Sequence, residues 1–469
     1  MRLTDPSIGK RNPFPGPPVW LSETPLAALA VLLLFTAVAI LFTRLLGRDG
    51  PIASGALSGL PAVGAVAVAT VGAISVCRYA GLVLLAAVSS ARRPTACWQP
   101  SGPTPLVSIF VPCYNESGTI ASALESLVEL DYPNYEILVV NDGSTDDTLE
   151  QTRRVAANHG SVIRVLDKPN GGKWSAHNLA FQHSTGELIL CLDADSRLDR
   201  NALRRLVARM GDPRVAAVAG QMRVRNRVNP ITFLQALEYM LANGAVRMAQ
   251  GLFGSVLIVP GPIGFFRRSV LEEVWLRFTG RQEDGRPGRV DGPFEGDTFA
   301  EDFDLSLSIL TLGGRIVYEP DAVSYTKAPE RAFALVNQRY RWVRGAMQVL
   351  RKLFRRARRE PELLTPRLVF WVVGTSLVDL ALMPALHLLA LAMAPLLLSN
   401  LQGLAAAAGV FAMLLAAHLT AAAFFVSLHR DRYRLLAGSP CYGPYCGFLL
   451  FSAWLISVWD ELRGKRMRW

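Results

Sequence analysis

A chain of 469 residues has room for roughly two to four domains, and with 51% hydrophobic against 19% charged residues part of it belongs in lipid. Its net charge of +11 gathers beside apolar segments (Arg92-Arg93, Arg351 to Arg359, Arg463 to Arg468), where anionic headgroups would meet it. No basic–aromatic platform accompanies the charge, which sets nucleic-acid binding aside, and neither cysteines nor histidines have the spacing of a disulfide or zinc framework.

Residues 1–24 are polar and Pro-rich and are expected to be poorly ordered. Residues 25–93 then carry two membrane helices. The first is the uncharged run Pro25 to Phe42, too long and without the small-residue site of a cleaved signal. The second is Ile52 to Ala91, longer than the ~20 residues a bilayer requires and broken only by Arg78. That arginine either snorkels to headgroups or faces a protein interior. Arg92-Arg93-Pro94 closes the hairpin on its cytoplasmic side by the positive-inside rule.

A soluble domain follows over 105–349. Apolar strand-like runs (Leu106–Val111, Tyr135–Val140, Val162–Leu166, Leu188–Leu192) alternate with helical patterns (Ile120–Leu130, Thr145–Asn158, Ser175–His183). This rhythm predicts a largely parallel α/β sheet, with ligands at the carboxyl ends of its strands. Residues 350–366 continue as a basic, amphipathic helix on the membrane surface. Residues 367–460 hold three or four membrane segments, built on Leu368–Leu398, Leu404–Leu428 and Cys446–Val458. Three spans would send the basic tail, 461–469, outside; a double pass or re-entrant turn in Leu368–Leu398 would keep it in the cytoplasm.

Chemistry collects at the strand ends. The buried run Leu188 to Leu192 surfaces with Asp193 and Asp195, two positions apart and so on one side of an extended chain. Two such carboxylates repel unless a cation lies between them, and a hard divalent ion, Mg²⁺ or Mn²⁺, suits oxygen ligands and substrate phosphates. Otherwise Asp195 or Ser196 would cap the helix near Asn201. The first strand ends in Cys113-Tyr114-Asn115-Glu116 and the second in Asn141-Asp142-Gly143-Ser144-Thr145. There Asp142 either accepts hydrogen bonds from a nucleoside or, with Thr145, shapes the turn and caps the next helix. Gly171-Gly172 lets backbone approach phosphate, with Lys173 as a point charge.

Asp302 opens a helix as Glu301-Asp302-Phe303-Asp304, either as a cap or as a general base that takes a proton from an attacking hydroxyl. Gln338, Arg341 and Trp342 share a helix face, with a phosphate-gripping arginine beside a flat indole. Gly261, in Gly261-Pro262-Ile263-Gly264, allows a substrate close approach or simply packs. The polar segment Leu276 to Phe299 is either a mobile lid or an insertion.

Taken in this order, the motifs from about Val107 to Gly345 resemble the membrane-embedded family 2 glycosyltransferases, the cellulose, chitin, hyaluronan and poly-N-acetylglucosamine synthases. The resemblance implies a GT-A fold, a Rossmann-like mixed sheet inserted between membrane helices, in the plasma or inner membrane with its catalytic domain cytoplasmic. It implies inverting transfer from a UDP-sugar to a polysaccharide, threaded outward as it grows. Asn115, Glu116, Asp142, Lys173 and Asp193 would hold the donor. Asp193 and Asp195 would support Mg²⁺ or Mn²⁺, and Asp302 would be the base. Gln338, Arg341, Trp342 and Gly261 would lie by the acceptor and diphosphate.

The chain lacks the Trp-Gly-Thr motif of the hyaluronan type and an appended cyclic-dinucleotide domain, which leaves a poly-N-acetylglucosamine-like or other β-linked polymer ahead. The competing readings are transfer of one sugar to a lipid-linked acceptor and a catalytically silent subunit of an export complex. Export partners are possible under each.

Overall fold

The structure, a computed structural model, describes residues 59–92, 104–279, 291–398, 401–428 and 433–465. The polar segment 1–24, the expected first membrane helix and the tail beyond residue 465 lie outside the described residues.

In chain order, α1 (Gly59–Ala91) precedes the α/β domain. The domain begins β1 (Val107–Cys113), α2 (Ile120–Val128), β2 (Tyr135–Asp142), α3 (Thr148–Asn158), β3 (Ile163–Lys168), α4 (Lys173–His183) and β4 (Leu188–Cys191). It continues with β5 (Arg197–Leu198), α5 (Ala202–Arg209), β6 (Val215–Val224), α6 (Pro230–Glu238), α7 (Val246–Leu252), β7 (Gly264–Arg267) and α8 (Arg268–Val274). It closes with α9 (Glu301–Thr311), β8 (Arg315–Thr326) and α10 (Ala332–Arg359).

The strands form one sheet in the order β3-β2-β1-β4-β7-β6-β8-β5. The expected parallel pattern holds from β3 to β4. Beyond β4 the sheet turns mixed, because β7 runs antiparallel to both β4 and β6. The apolar runs read from the sequence are buried on both faces: Ile109, Phe110, Ile137, Leu138, Ile189 and Leu190 have no exposed surface. The chain order reverses between β1 and β4, and the crevice beyond such a reversal is where open α/β sheets bind ligands.

After α10 come α11 (Pro366–Trp371) and α12 (Met383–Leu398), joined through a π-helical stretch, Val372–Leu382, into one uninterrupted helix. Leu368–Leu398 is therefore a single rod without a re-entrant turn. Next are α13 (Leu401–Leu428), α14 (Ser439–Pro444) and α15 (Phe451–Leu462). Among the described residues, four stretches are long and apolar enough to cross a membrane: Gly72–Ala91, Pro366–Leu389, Ala407–Leu428 and Arg434–Leu462.

The first three pack together, and two of them are joined by a two-pronged pair between Arg78, half-buried, and Asp379, exposed (Nη2–Oδ2 2.9 Å). Arg78 thus has a carboxylate partner at the bundle surface. The fourth stretch behaves differently. Gly438, near its start, packs on Phe233 and Leu234 of α6, Tyr445 hydrogen-bonds Glu238 at the end of α6, and Asp460 and Glu461 bond Tyr340 and Arg344 of α10. A helix crossing a ~30 Å hydrocarbon core touches a domain at one end only. This one touches the α/β domain through α6 and α10 and also packs on the apolar bundle, where Trp454 Nε1 donates to Leu380 O (2.8 Å), Phe451 stacks on His387 and Tyr442 on His418.

Candidate active site

The loop after β4 builds the site. Leu192 still bonds β1 through its N–H (to Phe110 O, 3.0 Å), so Asp193 is the first residue free of the sheet. Lys173, the first residue of α4, points its ammonium at Asp193 (Nζ–Oδ1 2.5 Å) and lies 3.6 Å from Glu301. Gly172 precedes it at φ +88°, a left-handed conformation that a side chain would strain, and this bend aims α4 at the crevice. Gly261 closes the other side. A Cβ there would lie 2.5 Å from Lys173 Nζ and 3.4 Å from Asp193 Oδ1, so a side chain would push the lysine's end away from its present place. Its close approach is thus to the donor-side charges expected at Lys173 and Asp193.

Burial opposes the charge on Lys173, but Asp193 and Glu301 outweigh it and hold the ammonium above the ordinary lysine range. Asp302 is pushed the other way. Burial and then its neighbour Glu301 raise its carboxyl to about 6, with Lys173 pulling against them. Asp302 does accept its neighbour's N–H (Phe303 N, 2.8 Å), yet no side-chain cap bond forms at the start of α9. The capping alternative is thereby weakened. A carboxylate poised near 6 is ionised at neutral pH and retains proton affinity, which is what a general base needs. Because the base form lies above that value, kcat/KM should rise as pH increases through about 6 and then level off. A profile flat from pH 5 to 8 would remove Asp302 from the rate-controlling ionisation.

Asp195 is likewise raised to about 6, by burial and then by Asp193. It accepts from Ser196 Oγ (3.0 Å) and Thr326 Oγ1 (3.3 Å), and it neither caps nor touches α5, whose N-cap is Asn201. Two neighbouring carboxylates, one held up for want of compensating charge, fit a hard divalent cation. The cluster Glu295, Asp297 and Asp304 is different. Lys352 already sits among its oxygens, 3.0 Å from Asp297 and 2.6 Å from Asp304, and supplies the cation itself.

Asp142 is buried and fully engaged. Oδ1 accepts from Lys168 Nζ (2.5 Å) and Gly171 N (3.0 Å), and Oδ2 from Gly172 N (2.8 Å). It organises the turn that carries Lys173. Asn115, at φ +54°, accepts from Thr145 N (2.8 Å), and the N–H of Glu116 donates to Thr148 Oγ1 (2.7 Å) while its carboxylate accepts from Thr119 Oγ1 (2.7 Å). These two polar groups tie the β1 and β2 loops together at the crevice. Thr145 is thus bound to Asn115, and the N-cap of α3 is Asp147.

Gln338, Arg341 and Trp342 all lie on α10, which also contains the basic run expected as a separate surface helix; one helix spans both because nothing breaks it before Glu360. Arg341 and Trp342 are exposed. The residue missed by sequence reasoning is Arg339 between them. Its guanidinium is buried, pairs with Glu238 (2.8 Å) and stacks 4.1 Å over the Trp342 ring. Glu301 was also overlooked, although an acidic residue beside a candidate base was a usable signal. Residues 280–290 of the polar segment lie outside the described residues; in the part from 291 on, Phe294 exchanges two hydrogen bonds with Asn178 of α4 and stacks on His177.

With this geometry in place, the comparisons are informative. Residues 108–275 match glycosyl transferase family 2. Over 249 residues the chain is 31% identical to a poly-beta-1,6-N-acetyl-D-glucosamine synthase of Staphylococcus epidermidis, covering 53% of this chain and 56% of that protein. The same-named protein of Staphylococcus aureus strain MSSA476 is 30% identical over equal shares. The chain thus spans about half the length of the curated relatives it matches. A mannosyltransferase from Pyrobaculum calidifontis, solved with GDP-Man and Mn²⁺, is similar in fold at TM-score 0.55 and 24% identity, over 87% of this chain and all of that one. The mixed sheet is of the GT-A type, and the stretch that matches glycosyl transferase family 2, residues 108–275, lies between helices long and apolar enough to cross a membrane.

Proposed function

We propose that this chain is an inverting glycosyltransferase that moves a hexose or N-acetylhexosamine from a UDP-sugar to a growing polysaccharide, processively and with export across the membrane. The observation that carries the reading is the convergence of Lys173, Asp193, Glu301 and Asp302 at the crevice, with the Gly261 backbone against them. Lys173 would hold the donor diphosphate, and Asp142 would keep the turn beneath it rigid. Asp302 would take the proton from the acceptor hydroxyl as it attacks the anomeric carbon from the face opposite the leaving diphosphate. A single displacement needs one base and no carboxylate nucleophile. Asp193 and Asp195 would hold Mg²⁺ or Mn²⁺, whose charge stabilises the departing diphosphate. Mn²⁺ in the mannosyltransferase agrees with that choice. Trp342 offers the acceptor sugar an apolar platform, and Arg341 beside it a phosphate grip.

The names of the curated relatives favour N-acetylglucosamine and a polymeric product. The catalytic domain would be cytoplasmic. The basic tail after residue 461 would lie on that same side by the positive-inside rule.

The test is UDP release by the purified chain over a panel of UDP-sugars, with Mn²⁺, with Mg²⁺ and with EDTA. One donor is expected to be turned over, and chelation should cost more than about tenfold, the scale of a catalytic metal's contribution. Sizing of the product on radiolabelled donor then checks processivity. A singly glycosylated lipid as sole product would refute the polymer, and no release with any donor would refute the transferase.

A further inference from the structure

Away from the crevice, a cavity of about 300 Å³ opens between α10, the end of α15 and the stretch Asp297-Thr298. Arg344, Arg351, Lys352, Arg355 and Lys465 line it, against the carboxylates of Asp297 and Glu461. The charge is polarised. On the inner side Lys352 is saturated by Glu295, Asp297 and Asp304. On the outer side Arg344 (3.1 Å) and Arg351 (2.6 Å) share the single carboxylate of Glu461, and Arg355 meets no carboxylate among the described residues. Arg351, Arg355 and Lys465 are exposed there, Lys465 also pairing with Asp460 (2.9 Å), so the mouth is open and Arg355 is its cation without a carboxylate.

The mouth also adjoins an apolar surface. Phe448, Leu455, Trp459 and Leu462 stand exposed on one face of the stretch ending in α15, and Phe354 is exposed on α10 beside Arg355. Arg463 lies 4.7 Å over the Trp459 ring. An outward apolar stripe that ends in cations is a surface fitted to acyl chains and anionic headgroups.

From the cationic mouth and the apolar stripe that runs into it, we propose that this cavity binds the phosphate headgroup of an anionic membrane phospholipid, with its acyl chains along α15. The headgroup charge answers Arg351, Arg355 and Lys465, and the stripe Leu455, Trp459 and Leu462 lies beside the chains. The cavity wall leads to the site. Gln348, which lines it, accepts the N–H of Phe299 (3.2 Å), and Gly345 packs directly on Ala300, two residues before Asp302. A bound lipid would brace α10 against the segment that delivers the base, so anionic lipid raises turnover. That consequence rests on the transferase reading; the binding itself does not.

The experiment uses the full chain in nanodiscs of phosphatidylcholine with or without phosphatidylglycerol, with retained lipid counted by native mass spectrometry. The wild type should retain phosphatidylglycerol over phosphatidylcholine by about tenfold, the scale of two basic side chains at an anionic surface, and R351A/R355A should abolish the preference. Arg355→Glu, a single exposed change without an ion-pair partner to lose, should do the same and guards against misfolding. Equal retention of both lipids, or a preference unchanged in the variants, would overturn the proposal. So would displacement by millimolar inorganic phosphate, which would mark a site for a soluble phosphate. Lipid counting is independent of turnover, so a protein silent with every UDP-sugar would refute the transferase and leave the lipid site standing or falling on its own result.

Discussion

Asp302→Asn should lower turnover by about 10²–10⁴-fold, the contribution of a positioned general base, while binding of the UDP-sugar changes little. The amide keeps the shape of the carboxyl and cannot accept a proton. Two features separate this outcome from a folding defect. First, Asp302 makes no side-chain ion pair; its recorded side-chain bond is to the N–H of Phe303, which an amide oxygen can also accept. Second, the sign of the linkage runs against a stabilising role. Its carboxyl is raised from the ordinary value to about 6 in the folded state, chiefly by burial. A carboxyl shifted upward on folding costs stability progressively as pH rises from its unfolded value to its folded one, and the full cost is present above about 6. Asp302→Asn should therefore unfold at a temperature equal to or above that of the wild type at pH 7.5. Glu301→Gln is the contrast, because Glu301 faces Lys173 and its loss should raise KM for the donor more than it lowers kcat. If Asp302→Asn kept activity within a few-fold of wild type, the base would have to be sought elsewhere.

The central half of the fold was legible because its signals are local. The four parallel strands are apolar runs that fill a two-faced buried layer, and each was located to within two residues. The acidic ends of those runs marked the crevice, since a buried strand that surfaces with Asp193 and Asp195 has little packing reason to do so. What stayed hidden depends on distant parts of the chain. Nothing near β7 announces that it enters the sheet antiparallel beside β4, and nothing near Asp142 announces that the Gly171–Gly172 amides occupy both of its oxygens. Nothing near Arg78 announces its carboxylate partner, Asp379, 301 positions away. The same holds for Arg434–Leu462: hydropathy reads its length, whereas its contacts with α6 and α10 on one hand and with Leu380 and His418 on the other depend on distant parts of the chain.

Arg339→Met should be the most damaging single change on α10, although Gln338, Arg341 and Trp342 are the residues that its sequence pattern brings forward. The guanidinium is buried beside Glu238, with Tyr445 donating to the same carboxylate (2.5 Å), and it supports the Trp342 ring from beneath. Burial opposes this charge and Glu238 outweighs it, so arginine and glutamate each depend on the other's presence. Removing one partner of such a pair leaves an uncompensated buried charge, at a cost of about 3–5 kcal/mol. Thermal scanning of Arg339→Met in detergent should thus show a clearly lower unfolding temperature, with turnover down at least about tenfold as Trp342 loses its support.

The double variant Glu238→Gln/Arg339→Met decides what the pair is for. Removing both charges relieves the burial penalty, so the unfolding temperature should recover most of the way to wild type. Turnover should not recover, because the neutral methionine restores neither the cation beneath the indole nor the link from α10 through Glu238 to Tyr445. KM for the acceptor should stay elevated and donor KM near normal, the split expected if Trp342 receives the acceptor sugar. Recovery of both stability and turnover would instead make the pair a fold-holding contact alone, and the acceptor platform would then rest on the indole without help from the residue beneath it.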